Sequence, residues 1–201
     1  MENVEKTTSL ANVSTQCSFP SNNDDFVGFK EEMEHIIQKL TGGTKERDVI
    51  SIVGMAGLGK TTLARKVYSD PSIAGHFDVR AFCTISQTYS VRKLLAEILK
   101  QATGDKRTIK EDEDVADLLR RTLVGKRYLI VLDDIWKYNA WEDLHLWFPQ
   151  EVKGSRVMVT TRDEEVAKEI KLYTDPYLLR FLSNEESWEL LQKKVFKCDS
   201  C

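Results

Sequence analysis

The sequence predicts an α/β fold of three layers: a five-stranded, mainly parallel sheet with helices on both faces. Two observations lead there. Short apolar runs alternate along the 201 residues with stretches of helical periodicity, the pattern of strands joined by crossover helices. The runs at 49–53 (VISIV) and 128–132 (YLIVL) are apolar at almost every position, as strands covered on both faces are.

The elements follow in order. Residues 1–24 are rich in Ser, Thr and Asn. Too little apolar surface is available there to offset the entropy of ordering, which predicts a linker or tail. Met33, Ile36, Ile37 and Leu40 then recur at helical spacing until Gly42-Gly43 stops the pattern. Residues 49–53 are the first strand, and a helix from Lys60 to Tyr68 ends at Asp70-Pro71. A second strand at 79–85 precedes a helix with the face Leu94, Leu95, Ile98, Leu99 and Ala102, for which Ser90 is the expected N-cap. The charged stretch 105–114 reads as a solvated loop, and a helix carrying Val115, Leu118, Leu119 and Leu123 follows. Strands are expected at 128–132, 156–160 and 177–179, with a helix at 166–170. Ser183 and Glu186 make an S-x-x-E capping box for a last helix, whose Trp188, Leu191 and Val195 are expected to face inward.

Composition excludes several classes. The net charge of −3 argues against a protein built to grip a nucleic-acid backbone, which calls for a basic face. No apolar run is long enough to cross a bilayer, and the N-terminus lacks the apolar region of a signal peptide. The expectation is a soluble, cytoplasmic domain without direct membrane insertion. Cysteines at 17, 83, 198 and 201 do not look like a disulfide framework. Cys198 and Cys201 form a C-x-x-C without the further ligands that zinc needs. Trp136, Trp141, Trp147 and Trp188 are expected to pack the flank of the sheet.

Three motifs carry chemistry. Gly54-Met55-Ala56-Gly57-Leu58-Gly59-Lys60-Thr61 fits G-x-x-x-x-G-K-[ST], and it follows a predicted strand and opens a predicted helix, the context that gives the motif its meaning. Glycines let the backbone curl so that successive amides face a phosphate, and the helix N-terminus adds partial positive charge. Lys60 supplies a full charge to the β- and γ-phosphates, Thr61 a hydroxyl for Mg2+, and Thr62 a contact to the α-phosphate. Second, Asp133 and Asp134 follow the strand at 128–132, which delivers them to the carboxyl edge of the sheet, where ligands of open α/β sheets bind. Asp133 is the expected metal-holding acid and Asp134 the catalytic residue, orienting or deprotonating a water. The extra strand at 79–85 points to the subdivision of phosphate-loop proteins in which an added strand separates the two motif strands. Third, Arg162 ends the strand at 156–160, where it either reaches a γ-phosphate or pairs at the surface with Asp163 or a nearby glutamate. The fold class these motifs predict is the three-layer P-loop NTPase fold with a STAND/AAA-like strand order.

Six ordered stretches resemble the NB-ARC module of plant nucleotide-binding leucine-rich-repeat immune receptors, the coiled-coil class and late-blight resistance proteins of nightshades in particular. They are Asp25-Phe26-Val27-Gly28, GMAGLGKTT at 54–62, HFDVRAFCTISQTYS at 76–90, YLIVLDDIW at 128–136, GSRVMVTTR at 154–162 and LRFLSNEESWELLQKKVF at 179–196. The resemblance implies a switch that holds ADP at rest and ATP with Mg2+ when active, with slow hydrolysis resetting it. It implies that Val27 and Gly28 lie against the adenine and that 25–180 is the nucleotide-binding unit, with 181–201 the first helix of a following helical subdomain. It also implies coiled-coil and leucine-rich-repeat regions as partners within a full-length receptor, oligomerisation on activation, and a hypersensitive defence response. The family's G-L-P-L and M-H-D stretches have no counterpart before Cys201, so the lid they form over the nucleotide is expected to be missing. At Ala56 the family often has Gly or Pro; Ala fits if its φ is not positive. Two other readings stand beside the switch: a ring-forming ATPase motor, and a fragment acting only as a protein-interaction surface.

Overall fold

The computed structural model describes residues 27–104, 114–151 and 153–195. The expected tail at 1–24, most of the charged loop at 105–114 and the Cys198–Cys201 pair lie outside the described residues.

Five strands form one sheet in the order β2-β3-β4-β1-β5, all neighbours parallel. They are β1 (Asp48–Val53), β2 (Val79–Thr84), β3 (Tyr128–Ile135), β4 (Arg156–Thr161) and β5 (Tyr177–Leu178). Alternate strand residues feed two separate cores, because successive side chains point to opposite faces. Ile50, Ile52, Phe82, Leu129, Val131 and Met158 pack beneath α1 (Lys30–Thr41), α2 (Lys60–Ser69) and α3 (Pro71–His76). Val49, Ala81, Cys83, Ile130, Leu132, Val157 and Val159 pack on the other face beneath four helices. These are α4 (Val91–Thr103), α5 (Val115–Leu123), α6 (Tyr138–His145) and α7 (Glu164–Ile170). The last helix is α8 (Asn184–Val195).

The two motif strands, β1 and β3, are separated in the sheet as expected, but the strand between them is β4. β2, expected to be the separating insertion, lies at the edge beside β3. Insertion between motifs in sequence does not entail insertion in space: the crossover from β3 through α6 fills the central position with β4. Two short helices escaped the periodicity. Asp70 ends α2 and at the same time N-caps α3, accepting the Ser72 amide at 2.9 Å with Pro71 in the first turn. α6 buries Ala140, Trp141 and Leu144. Ser90 precedes α4 but its side chain makes no capping hydrogen bond.

The capping box of α8 is present: the Ser183 amide donates to Glu186 Oε2 at 2.7 Å and the Glu186 amide to Ser183 Oγ at 3.2 Å. The inward face expected for α8 is not. Trp188, Leu191 and Val195 are exposed, Trp188 by 57%, and α8 buries none of its residues. Among the other tryptophans Trp141 is buried and Trp147 packs against the same core. Trp136 instead lies beneath Arg162, its ring centre 4.2 Å from the guanidinium carbon. No helix among the described residues is long and apolar enough to cross a membrane.

The base of the sheet is tied by one arginine that the sequence pattern does not flag. Arg156, 2% exposed at the start of β4, donates to the carbonyls of Glu46 and Ser155 at 2.9 Å, to that of Thr44 at 2.8 Å, and to that of Gly42 at the end of α1. A guanidinium carries five N–H donors in a fixed fork, so a single side chain holds the whole turn between α1 and β1.

Candidate functional site

The loop between β1 and α2 is a curl shaped by Gly57 (φ 78°) and Gly59 (φ 99°), conformations costly for any other residue. A Cβ at Gly54 would fall 2.6 Å from Leu58 Cδ2, so a side chain there requires that methyl to move aside. Ala56 has no positive φ, which is why Ala serves there. Lys60, 6% exposed at the first position of α2, folds its side chain back across the loop. Its Nζ donates to the carbonyls of Gly54 (2.7 Å) and Met55 (2.8 Å). Burial lowers its pKa first and the charge of Arg162 second, against the opposing pull of Asp134 and Asp133. Met55 and Thr62 are exposed, whereas Leu58 is half-buried.

Asp133 is buried at the carboxyl end of β3, and three threonines from three elements surround its carboxylate. Thr61 Oγ1 of α2 donates to it at 2.9 and 3.1 Å, Thr160 Oγ1 of β4 at 2.7 Å, and Thr84 Oγ1 of β2 at 3.4 Å. Thr61 and Asp133, both named from sequence as metal-holding groups, are thus in direct contact. One carboxylate and one hydroxyl, both hard oxygen donors, suit Mg2+, which takes few protein ligands and relies on phosphates and water for the rest. No cluster of three or more His, Cys, Asp or Glu among the described residues offers a fuller metal site.

Asp134 sits apart from this group. Its backbone is left-handed (φ 61°), and its carboxylate accepts from Arg162 Nε at 3.3 Å and Nη2 at 3.2 Å. Arg162 therefore pairs with the expected catalytic acid rather than with Asp163, which instead caps α7 through the Glu165 amide.

Val27 and Gly28 lead into α1 and reach the loop through Phe29. Val27 is buried; Phe29 is buried in a left-handed conformation (φ 55°), and a Cβ at Gly59 would come within 3.4 Å of its ring. Gly28 (φ 68°) lies so near Leu182 and Glu186 that a Cβ would be 2.7 and 2.9 Å from them. Arg180 locks this corner. It donates to Glu32 Oε1 at 2.7 Å and to Glu186 at 2.7 and 2.9 Å, above the Phe29 ring. Sequence reasoning missed Thr84, Thr160, Phe29, Glu32 and Arg180; the polar ends of β2 and β4, aligned with the acids, were the available signal for the first two.

This corner carries a pH prediction. Hydrogen bonds from Arg180, then from the Ser183 amide, hold the Glu186 carboxyl at about 2, below its ordinary 4.5. A carboxylate depressed on folding contributes its stabilisation fully above the unfolded value and loses it as pH falls toward the folded one. Trp188 fluorescence should therefore report a loosening of α8 between about pH 4.5 and 2. In Arg180→Gln the change should begin at higher pH; an identical titration would show that the pair does not hold the helix.

A phosphate loop opening a helix after β1, and a buried acid on the parallel strand β3 one place beyond β4, define a protein of the P-loop NTPase fold. The NB-ARC domain family matches residues 29–201, and the chain belongs to that family. A putative late blight resistance protein homolog of Solanum demissum is 48% identical over 184 residues, covering 90% of this chain and 24% of its own length. A late blight resistance protein of the same species is 44% identical over 203 residues, 100% of this chain and 16% of its own. The chain thus spans under a quarter of these relatives. Among solved structures, the ORC2 protein of Aeropyrum pernix in ADPNP–ADP complexes superposes with a TM-score of 0.59 at 16% identity, over 84% of this chain and 51% of that one. Cdc6p from Pyrobaculum aerophilum gives 0.59 at 14%, over 89% and 52%. These two share the fold.

Proposed function

We propose that the chain is the nucleotide-binding switch module of a plant intracellular immune receptor, holding ADP or ATP with Mg2+ and hydrolysing ATP slowly. The observation that carries this reading is the direct contact of Thr61 with Asp133 beside a loop whose lysine is folded inward. The amides of 55–60 and the α2 N-terminus receive phosphates. Lys60 exchanges its two carbonyl partners for phosphate oxygens, and Thr62 meets the α-phosphate. Val27 and Gly28 lie on the adenine side. Mg2+, when bound, neutralises phosphate charge, and Thr61 and Asp133 are the residues to hold it.

Slow hydrolysis follows from the acid that would align water. Asp134 is held toward Arg162 through both oxygens, so in this reading the pair competes with water for the carboxylate until it opens. A γ-phosphate competing for Arg162 is the means of opening it, which makes the pair a sensor of which nucleotide is present. In this reading 25–180 is the nucleotide-binding unit, 181–201 begins a helical subdomain, and 1–24 is a leading tail. Coiled-coil and leucine-rich-repeat regions flank the module in a cytoplasmic receptor that oligomerises on activation to drive the hypersensitive response.

Mass spectrometry of the purified chain should find ADP or ATP carried through purification. Calorimetry should show binding of both that is tighter with Mg2+. No heat with either nucleotide overturns the proposal, and steady-state turnover above about one per second replaces the switch with a motor.

A further inference from the structure

We propose that Thr160 is the positioning residue for both acids, one hydroxyl fixing the metal-holding Asp133 and the Arg162-paired Asp134 together. The proposal rests on the reading of this site as one for Mg2+ and nucleotide.

The β3–β4 ladder makes this arrangement possible. Leu132 pairs with Val159 and Ile135 with Thr161, with a register shift between them. Asp133 and Asp134 together therefore oppose the single residue Thr160, a β-bulge. Thr160 is wholly buried. Its hydroxyl donates to Asp133 Oδ1 at 2.7 Å and accepts the Asp134 amide at 2.8 Å. A hydroxyl has one proton to donate, and here it is directed at the carboxylate while a lone pair faces the amide, so the rotor has one orientation that serves both. The other two threonines cannot substitute. Thr61 belongs to the metal site itself, and Thr84 stands off at 3.4 Å.

The amide contact matters as much as the carboxylate contact. A left-handed backbone is uncommon outside glycine, and the Asp134 amide has the Thr160 hydroxyl as its acceptor at that kink. From this conformation the Asp134 side chain meets Arg162. Thr160 thus ties the acid that holds metal to the acid whose release from Arg162 governs water.

The test compares the chain as it stands with Thr160→Val, which keeps shape and β-branching without the hydroxyl, and Thr160→Ser, which keeps the hydroxyl. Calorimetry reads the ratio of ADP affinity with Mg2+ to that with EDTA. The ratio should fall about tenfold in Thr160→Val and stay within about threefold in Thr160→Ser. In nucleotide-free protein, NMR reads hydrogen exchange at the Asp134 amide, which should speed up about tenfold in Thr160→Val alone. An unchanged ratio together with unchanged exchange overturns the proposal. So does an affinity lost equally with and without Mg2+, which is a purely structural effect. Absence of ADP binding by the unaltered chain overturns the nucleotide reading instead, and the exchange measurement still decides whether Thr160 holds the Asp134 backbone. Should Thr160→Val fail to fold, Thr160→Cys takes its place, its weak S–H donor giving the same expected direction.

Discussion

Replacing Lys60 by alanine should weaken ADP binding by at least about a hundredfold, since a charge-assisted hydrogen bond contributes about 1.5–3 kcal/mol and the ammonium is placed to make two. Two neutral carbonyls hold that ammonium in the loop, at 2.7 and 2.8 Å. Burial already disfavours its charge, so an anion gains more from it than from a solvated lysine. The fold should survive. The variant leaves two loop carbonyls that water can satisfy at the exposed Met55, and no core side chain is removed. Calorimetry with ADP and thermal unfolding together check the expectation: affinity collapses while the melting temperature moves by no more than about 3 °C. Undiminished affinity would remove the phosphate loop from the binding site altogether.

Arg156→Leu should do the reverse. Ser155 O keeps a second donor in the Asp48 amide at 3.2 Å, but the carbonyls of Gly42, Thr44 and Glu46 lose the arginine. Each orphaned carbonyl costs about 1–3 kcal/mol when water cannot reach it. Because Thr44 and its neighbours are at the surface, the total is discounted to about 3 kcal/mol. For a chain of this length that lowers the melting temperature by about 6–12 °C. Arg156 begins β4 while Thr160 and Thr161 end it, so the altered residue lies at the far edge of the sheet from Lys60. ADP affinity of the folded protein should be unchanged. A variant that kept its melting temperature would show that water replaces the guanidinium at no cost. The two substitutions separate what holds the fold from what holds the ligand.

The elements that periodicity finds are those whose burial is set locally. VISIV at 49–53 and YLIVL at 128–132 are apolar throughout because helices cover both faces, and that was legible. α6 was not: Tyr138, Ala140, Trp141 and Leu144 cover one face over only two turns, too short for the repeat to declare itself. Trp188, Leu191 and Val195 do share a face of α8, but a face says nothing about whether a partner covers it. The curl at 54–59 and the buried Asp133 were legible because a G-x-x-x-x-G-K-T spacing and an acid directly after an apolar strand are local in sequence. Thr160, Thr84 and Arg180 were not, since they act through pairings across β4, β2 and α8 that only register and topology create. Arg162 was placed on the right edge of the sheet, yet its partner Asp134 depends on a bulge invisible in the sequence.

The two-residue strand β5 is small, but Leu179 and Arg180, just beyond its end, face two ways. The Leu179 amide donates to Val53 O at 2.8 Å, and a Cβ on Gly54 would be 3.5 Å from Leu179. Arg180 grips Glu32 and Glu186. One side of the backbone thus leans on the start of the phosphate loop while the other steers α8. Twelve helical residues at about 1.5 Å each make α8 a pointer, so a tilt of about 10° at its root sweeps the far tip through about 3 Å. Leu179 and Arg180 thus join the first residue of the loop to the root of α8 through two adjacent positions of the backbone.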